Sequence, residues 1–170
     1  MKRTILITFL LCILFLLVSC TKELPQTGTQ VRFYYIKNDL EFGTDAPLLT
    51  SALRTVPTED NTPEALIRLY LNGPTSYDCV SPFPGGTELV EMYVDGTRAS
   101  LLLSPHIGTL SPSQQTIAYA CLTRTVIELT GVTTVQVRLQ NYLINGEETA
   151  VFSEDSFAFF DSMSMENQSK

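Results

Sequence analysis

Histidine is almost missing from this 170-residue chain, with His106 the only one. That excludes a multi-histidine metal site, and no pair of the four cysteines has zinc-finger spacing. Basic charge is scarce as well, 11 Lys and Arg against 18 Asp and Glu. An acidic surface of this kind repels phosphate backbones, so a nucleic-acid partner is excluded. No glycine-rich loop opens a helix: Gly85-Gly86 stands before a strand-like run, which removes the phosphate cradle from consideration. No cofactor is expected.

What is present begins at the N-terminus. Lys2 and Arg3 form a short basic patch, and Thr4 to Val18 carries no charge and is dominated by Leu, Ile and Phe. These are the charged and apolar regions of a secretory signal. At roughly 15 residues the apolar run is shorter than the about 20 that a permanent spanning helix needs. The run ends in Leu17-Val18-Ser19-Cys20, followed by polar Thr21-Lys22-Glu23. This resembles the lipobox of bacterial lipoproteins, in which the cysteine thiol takes up diacylglycerol and becomes the mature N-terminus. Residues 1–19 are therefore expected to be a signal peptide and Cys20 the lipidation site. Acyl chains contribute about 0.8 kcal/mol per buried CH₂, enough for a diacyl anchor to hold a protein at a membrane surface. The expected location is the extracytoplasmic face of the cell membrane.

Residues 20–29 are rich in Thr, Gln, Pro and Gly and read as a tether. Cys12 falls in the signal, which leaves Cys79 and Cys121 in the folded part. Outside the membrane these two can form a disulfide; the alternative is a buried thiol at Cys121 on a helical apolar face and a loop thiol at Cys79.

Val31 to Ile36 is β-branched and aromatic and predicts a strand, Lys37 to Pro47 a loop, and Leu48 to Val56 a second extended segment. Thr62-Pro63-Glu64 supplies a cap, a first-turn proline and an acid at the positive end of a helix dipole. Leu66, Ile67, Tyr70 and Leu71 follow at helical spacing, and Asn72-Gly73-Pro74 stops the helix. A loop from Thr75 to Gly86 leads to a hairpin, Glu88 to Val94 and Thr97 to Leu103, with a type I′ turn expected at Asp95-Gly96. Ser111-Pro112 opens a second helix to about Leu129, with Ile117, Ala118, Cys121, Leu122, Thr125, Val126 and Leu129 as its apolar stripe. Thr130-Gly131 closes it before a strand, Val132 to Leu139; a further hairpin is expected about Asn145-Gly146. The fold class is α/β of the α+β type: a mixed sheet of four to five strands with two helices packed on one face. The domain is expected over residues 30–152, with an acidic C-terminal tail over 153–170 whose Phe157, Phe159 and Phe160 either dock or fray.

Several short motifs occur in a telling order: Leu48 with Arg54, Leu69-Tyr70-Leu71-Asn72-Gly73-Pro74, Pro84-Gly85-Gly86-Thr87-Glu88-Leu89, Leu103-Ser104, Gln115-Thr116-Ile117, Leu122-Thr123, and Gly131-Val132-Thr133-Thr134-Val135. The ordered set resembles the GerMN, or sporulation and spore germination, domain of Gram-positive envelope lipoproteins, and covers about Val31 to Tyr142. The family usually carries an acid two residues before the hairpin's closing serine, and Leu101-Leu102-Leu103-Ser104 has none. The resemblance implies a noncatalytic module, present here in a single copy, that contacts other envelope or sporulation proteins.

The residues themselves offer little catalytic chemistry. His106 sits in Ser104-Pro105-His106-Ile107-Gly108, where a solvated or locally bonded ring is the simpler reading than a catalytic base. Asp60, Glu64, Asp78 and Glu88 could make a glycan-cutting pair, but scattered surface acids on an acidic protein are the simpler reading. Phe83, between two prolines, is either an exposed contact for a ligand or partner, or a pin holding its loop to the core. The alternative to a protein partner is peptidoglycan or another wall ligand, bound or, less readily, hydrolysed.

Overall fold

A computed structural model describes residues 28–38 and 48–157. The signal segment, Cys20 and the tail beyond Phe157, including Phe159 and Phe160, lie outside the described residues.

The aromatic run GTQVRFYYIK forms β1 (Gly28–Lys37), two residues longer at its start than the tether boundary implies. It pairs antiparallel with β2 (Leu49–Pro57) along its whole length, from Gly28 opposite Pro57 to Ile36 opposite Leu49. On its other edge it meets only β3 (Cys79–Val80), a two-residue strand inside the segment that composition marks as loop. Period-2 analysis cannot detect a strand this short.

Between these strands lies α1 (Pro63–Leu71). Thr62 Oγ accepts the Ala65 N–H at 3.3 Å, Pro63 occupies the first turn, and Glu64 faces the dipole's positive end. Leu66, Ile67, Tyr70 and Leu71 are its buried residues, so the expected apolar face is the one that packs. Ile67 is fully buried, a gain of about 1.5–3 kcal/mol relative to exposure.

β4 (Leu89–Asp95) and β5 (Arg98–Leu103) form the hairpin, and β6 (Thr134–Leu139) lies parallel to β5. β7 (Ala150–Phe152) adds antiparallel to β6. Ala99, Leu101 and Leu103 alternate into the core of β5, and Val135, Val137 and Leu139 do so on β6. The parallel pair requires a crossover, which α2 (Pro112–Thr130) supplies. Its first turn is closed by a capping box between Ser111 and Gln114.

The α+β class, the two helices and the mixed strand pairing are those implied by the sequence. The strands divide between two sheets, β2-β1-β3 and β4-β5-β6-β7. α2 packs against β1 of one sheet and β6 of the other. It therefore buries Tyr119, Ala120 and Thr123 in addition to Ala118, Cys121, Leu122, Thr125 and Val126.

Two turns exchange roles. At the hairpin Asp95 pairs with Arg98, so the central residues are Gly96-Thr97, and positive φ (+55°) is needed only at Gly96. Glycine at the first central position suits type II′ better than the expected I′. The double positive φ of a type I′ turn occurs instead at Asn145 (52°) and Gly146 (86°), where Ile144 and Glu147 exchange both backbone hydrogen bonds. The chain beyond Phe152 stays on the core as far as Phe157, whose ring stacks on Phe152 at 5.3 Å.

Candidate functional site

The long loop before β4 is fastened at two points. Phe83 is 8 % exposed, and its ring meets Tyr70 edge-on at 5.3 Å between centroids. It is a core pin, which corrects its reading as an exposed ligand contact: proline on either side stiffens the loop, and the ring fills the aromatic cluster of Phe33, Tyr35 and Tyr70. The second fastening is Ser104, at the end of β5. Its Oγ accepts the Glu88 N–H at 2.9 Å, and its own N–H donates to the Glu88 carbonyl at 2.9 Å. Pro84 to Leu89 is thereby sewn to the strand end.

His106 Nδ1 stands 2.9 Å from Ser104 Oγ. A serine–histidine contact invites a catalytic reading, yet this oxygen already accepts a backbone N–H, and Ser104 is 7 % exposed. No carboxylate bonds the His106 ring among the described residues, so the orienting third member of a triad is not assembled there. The acids are engaged separately: Glu64 pairs with Arg68 at 2.8 Å, and Asp78 accepts the Ser76 hydroxyl at 3.2 Å. The Asp60 side chain lies outside the described residues.

Cys79 and Cys121 stand as free thiols in this structure. Cys121 is fully buried on α2 and Cys79 half-buried on β3. Burial pushes the Cys121 thiol up to about 12. It raises Cys79 too, with help from the Asp78 charge. Both shifts disfavour the thiolate, the nucleophilic form, at neutral pH.

Among the described residues two surface clefts stand out. One, of about 420 Å³, lies at the end of β6 among Leu102, Arg138, Gln140, Tyr142, Leu143 and Glu148. The other, of about 390 Å³, runs between the last residues of β2 and the side of α1 turned away from its core stripe. Its walls are Arg54 to Pro57 on the strand, and Ala65, Arg68, Leu69 and Asn72 on the helix, one helical face at steps of three, four and seven. Arg68 spans the domain from there, bonding Glu64 and donating to the Leu89 carbonyl at the start of β4. Arg54 makes no ion pair or hydrogen bond among the described residues, and its charge acts on the Tyr35 phenol, which burial raises and Arg54 lowers.

These observations coincide with a sequence match to Germane, the sporulation and spore germination family, over residues 32–148. The chain belongs to the Germane family. The first GerMN domain of the sporulation protein GerM from Bacillus subtilis is similar in fold, with a TM-score of 0.53 and 16% identity over 71% of this chain and 85% of that one. The tandem GerMN domains of the same protein give a TM-score of 0.61 and 17% identity over 82% of this chain, which spans half (50%) of that longer one. A lipoprotein structure from Clostridium perfringens matches at a TM-score of 0.48 and 13% identity, over 75% of this chain and 89% of that one. No curated protein matches the chain in sequence.

The Germane motif residues act mainly as fasteners. Tyr70 anchors α1 to β1, Pro84 to Leu89 is held by Ser104, and Gln115 Nε2 donates to the Leu110 carbonyl at 2.9 Å. Sequence reasoning missed Arg68 and the outward face of α1. A second helical stripe at Ala65, Arg68, Leu69 and Asn72 was its available signal, masked because a charged residue and an amide interrupt it.

Proposed function

We propose that this Germane-family chain is an extracytoplasmic lipoprotein, held by a diacylglycerol on Cys20, whose domain works as a noncatalytic contact module in a cell-envelope assembly of the sporulation or germination type. The observation that carries this reading is the order of the parts: a family match over residues 32–148 lies a short tether beyond Leu17-Val18-Ser19-Cys20, which resembles a lipobox. No described helix is long and apolar enough to cross a membrane, which is compatible with a lipid anchor. Ser104, Glu64 and Asp78, three of the side chains from which a catalytic set would be drawn, are occupied in holding a loop, a helix turn and a bend, which supports contact rather than chemistry as the domain's work.

Metabolic labelling with a radioactive fatty acid tests the anchor: label is expected on the chain and absent from Cys20→Ala. Crosslinking in the native cell followed by mass spectrometry tests the module, with a reproducible protein partner expected. Retention on purified wall material with no partner would favour a peptidoglycan ligand and overturn this reading.

A further inference from the structure

We propose that the cleft between β2 and α1 receives an extended, carboxylate-bearing peptide segment of a partner protein, added as a strand to the free edge of β2. The proposal rests on the reading of the domain as a contact module and names the chemistry of its partner.

The edge is fixed by register. Lys37 N–H donates to the Leu48 carbonyl at 3.0 Å, and the antiparallel pairing continues from Ile36 opposite Leu49 to Thr29 opposite Val56. Hydrogen-bonded pairs alternate along such a ladder. Thr50, Ala52, Arg54 and Val56 therefore spend their backbone groups on β1, and Leu53 and Thr55 turn theirs outward. The same parity holds on the opposite edge of β1, where the Tyr34 N–H leaves the ladder for Thr125 Oγ1. That edge is covered; the edge of β2 pairs with no strand among the described residues.

A peptide lying along Leu53–Pro57 would have the free strand edge on one side and the Ala65–Asn72 face of α1 on the other. An edge strand flanked by a helix is the geometry of strand addition, in which main-chain bonds give affinity and side-chain pockets give selectivity. Leu69, Val56 and Pro57 supply apolar wall, Asn72 an amide, and Arg54 and Arg68 the charge. Arg68 is partly neutralised by Glu64. Arg54 has no ion pair or hydrogen bond among the described residues, so in a chain with only 11 basic residues it is a guanidinium left for a ligand beside unspent backbone groups. Guanidinium recognises carboxylate through a planar two-bond fork. A second copy of the chain fits poorly, because a two-fold β2–β2 pairing centred near Arg54 brings like charges opposite each other.

The test is selection of phage-displayed random dodecapeptides on the full mature chain in detergent micelles. Enriched peptides are expected to carry Asp or Glu among β-branched residues. Their synthetic copies should lose about tenfold or more in affinity on Arg54→Glu, and a smaller part of it on Arg54→Lys, which keeps the charge and loses the two-bond fork. Peptide should slow amide exchange at Leu53 and Thr55, leaving Arg54 and Val56, already bonded to β1, unchanged. Ala65→Glu, which sets a carboxylate in the cleft from an independent position, should block binding even where Arg54→Glu compromises folding. Failure to enrich any peptide, enrichment without acids, affinity indifferent to both substitutions, or displacement of peptide from the cleft by soluble muropeptide would each overturn the proposal. A partner crosslinked equally well to Arg54→Glu would overturn the cleft assignment and leave the contact-module reading standing.

Discussion

The phenol of Tyr70 donates to the Tyr34 carbonyl at 2.7 Å, tying the last turn of α1 to an edge of β1 that its own sheet leaves open. β3 covers only Ile36 and Lys37, so Tyr34 would otherwise present an unpaired N–H and C=O in the interior. The Thr125 hydroxyl of α2 accepts the N–H at 3.0 Å, and Tyr70 of α1 satisfies the carbonyl. Tyr70→Phe keeps the ring among Phe33, Tyr35 and Phe83 and strands the carbonyl alone. A loss of about 1–3 kcal/mol is expected, read as a lowered urea midpoint with an unchanged slope. Thr125→Val should cost a similar amount, and near-zero effects from both would show that the edge is satisfied in another way.

Ser104 and His106 give a prediction that separates structure from chemistry. Ser104→Ala removes the acceptor of the Glu88 N–H from a buried position, so about 1–2 kcal/mol of stability should be lost as Pro84 to Leu89 loosens. His106 is exposed, and His106→Ala should shift the melting temperature little, within about 0.5 kcal/mol. A shared nucleophile–base role predicts a different pattern: equal loss of some hydrolytic turnover on wall material from each variant, with stability unaffected.

How much of this could be read beforehand differs by element. Both helices were legible because their ends carry chemistry: Thr62-Pro63 and Ser111-Pro112 cap, while Asn72-Gly73 and Gly131 stop. β5 and β6 were legible because one side of each is buried and the alternation is clean. The span of β4 was legible beside its hairpin turn, but its packed face was not, since it is an edge strand with a bulge after Leu89, and Val90, Tyr93 and Val94 remain exposed. The division into two sheets was hidden because a helix serving two neighbours shows a broad buried girth instead of one stripe. The cleft was harder still: its strand wall is marked only by an unpaired edge, which is a property of the assembled sheet.

Two buried hydroxyls on α2, Tyr119 Oη and Thr123 Oγ1, have no hydrogen-bond partner among the described residues. An unmet polar group in the interior costs about 1–3 kcal/mol, which a shape-preserving substitution recovers in part. Thr123→Val should raise stability by about 1 kcal/mol, and Tyr119→Phe should be neutral to stabilising, its ring still stacked on Phe152 at 5.0 Å. Calorimetry of both variants checks this. A drop in melting temperature for Thr123→Val would mean that the hydroxyl is bonded after all.

The buried thiol on α2 sets the behaviour at high pH. Burial raises Cys121 from 9.0 to about 12, and burial, with the Tyr142 charge adding to it, raises Tyr119 from 10.0 to about 12. Both groups keep their protons longer when folded, so the unfolded chain deprotonates first. Their contribution is therefore intact below about pH 9 and is lost as pH climbs toward 12. The urea midpoint should fall between pH 8 and pH 10.5, and Cys121→Val should flatten that fall while leaving the midpoint at pH 8 nearly unchanged. Iodoacetamide at pH 8 offers an independent reading of the same burial: it should modify Cys79 slowly in the native chain and reach Cys121 only in urea. Equal modification of the two thiols without denaturant would place Cys121 at the surface and remove the basis for the pH effect.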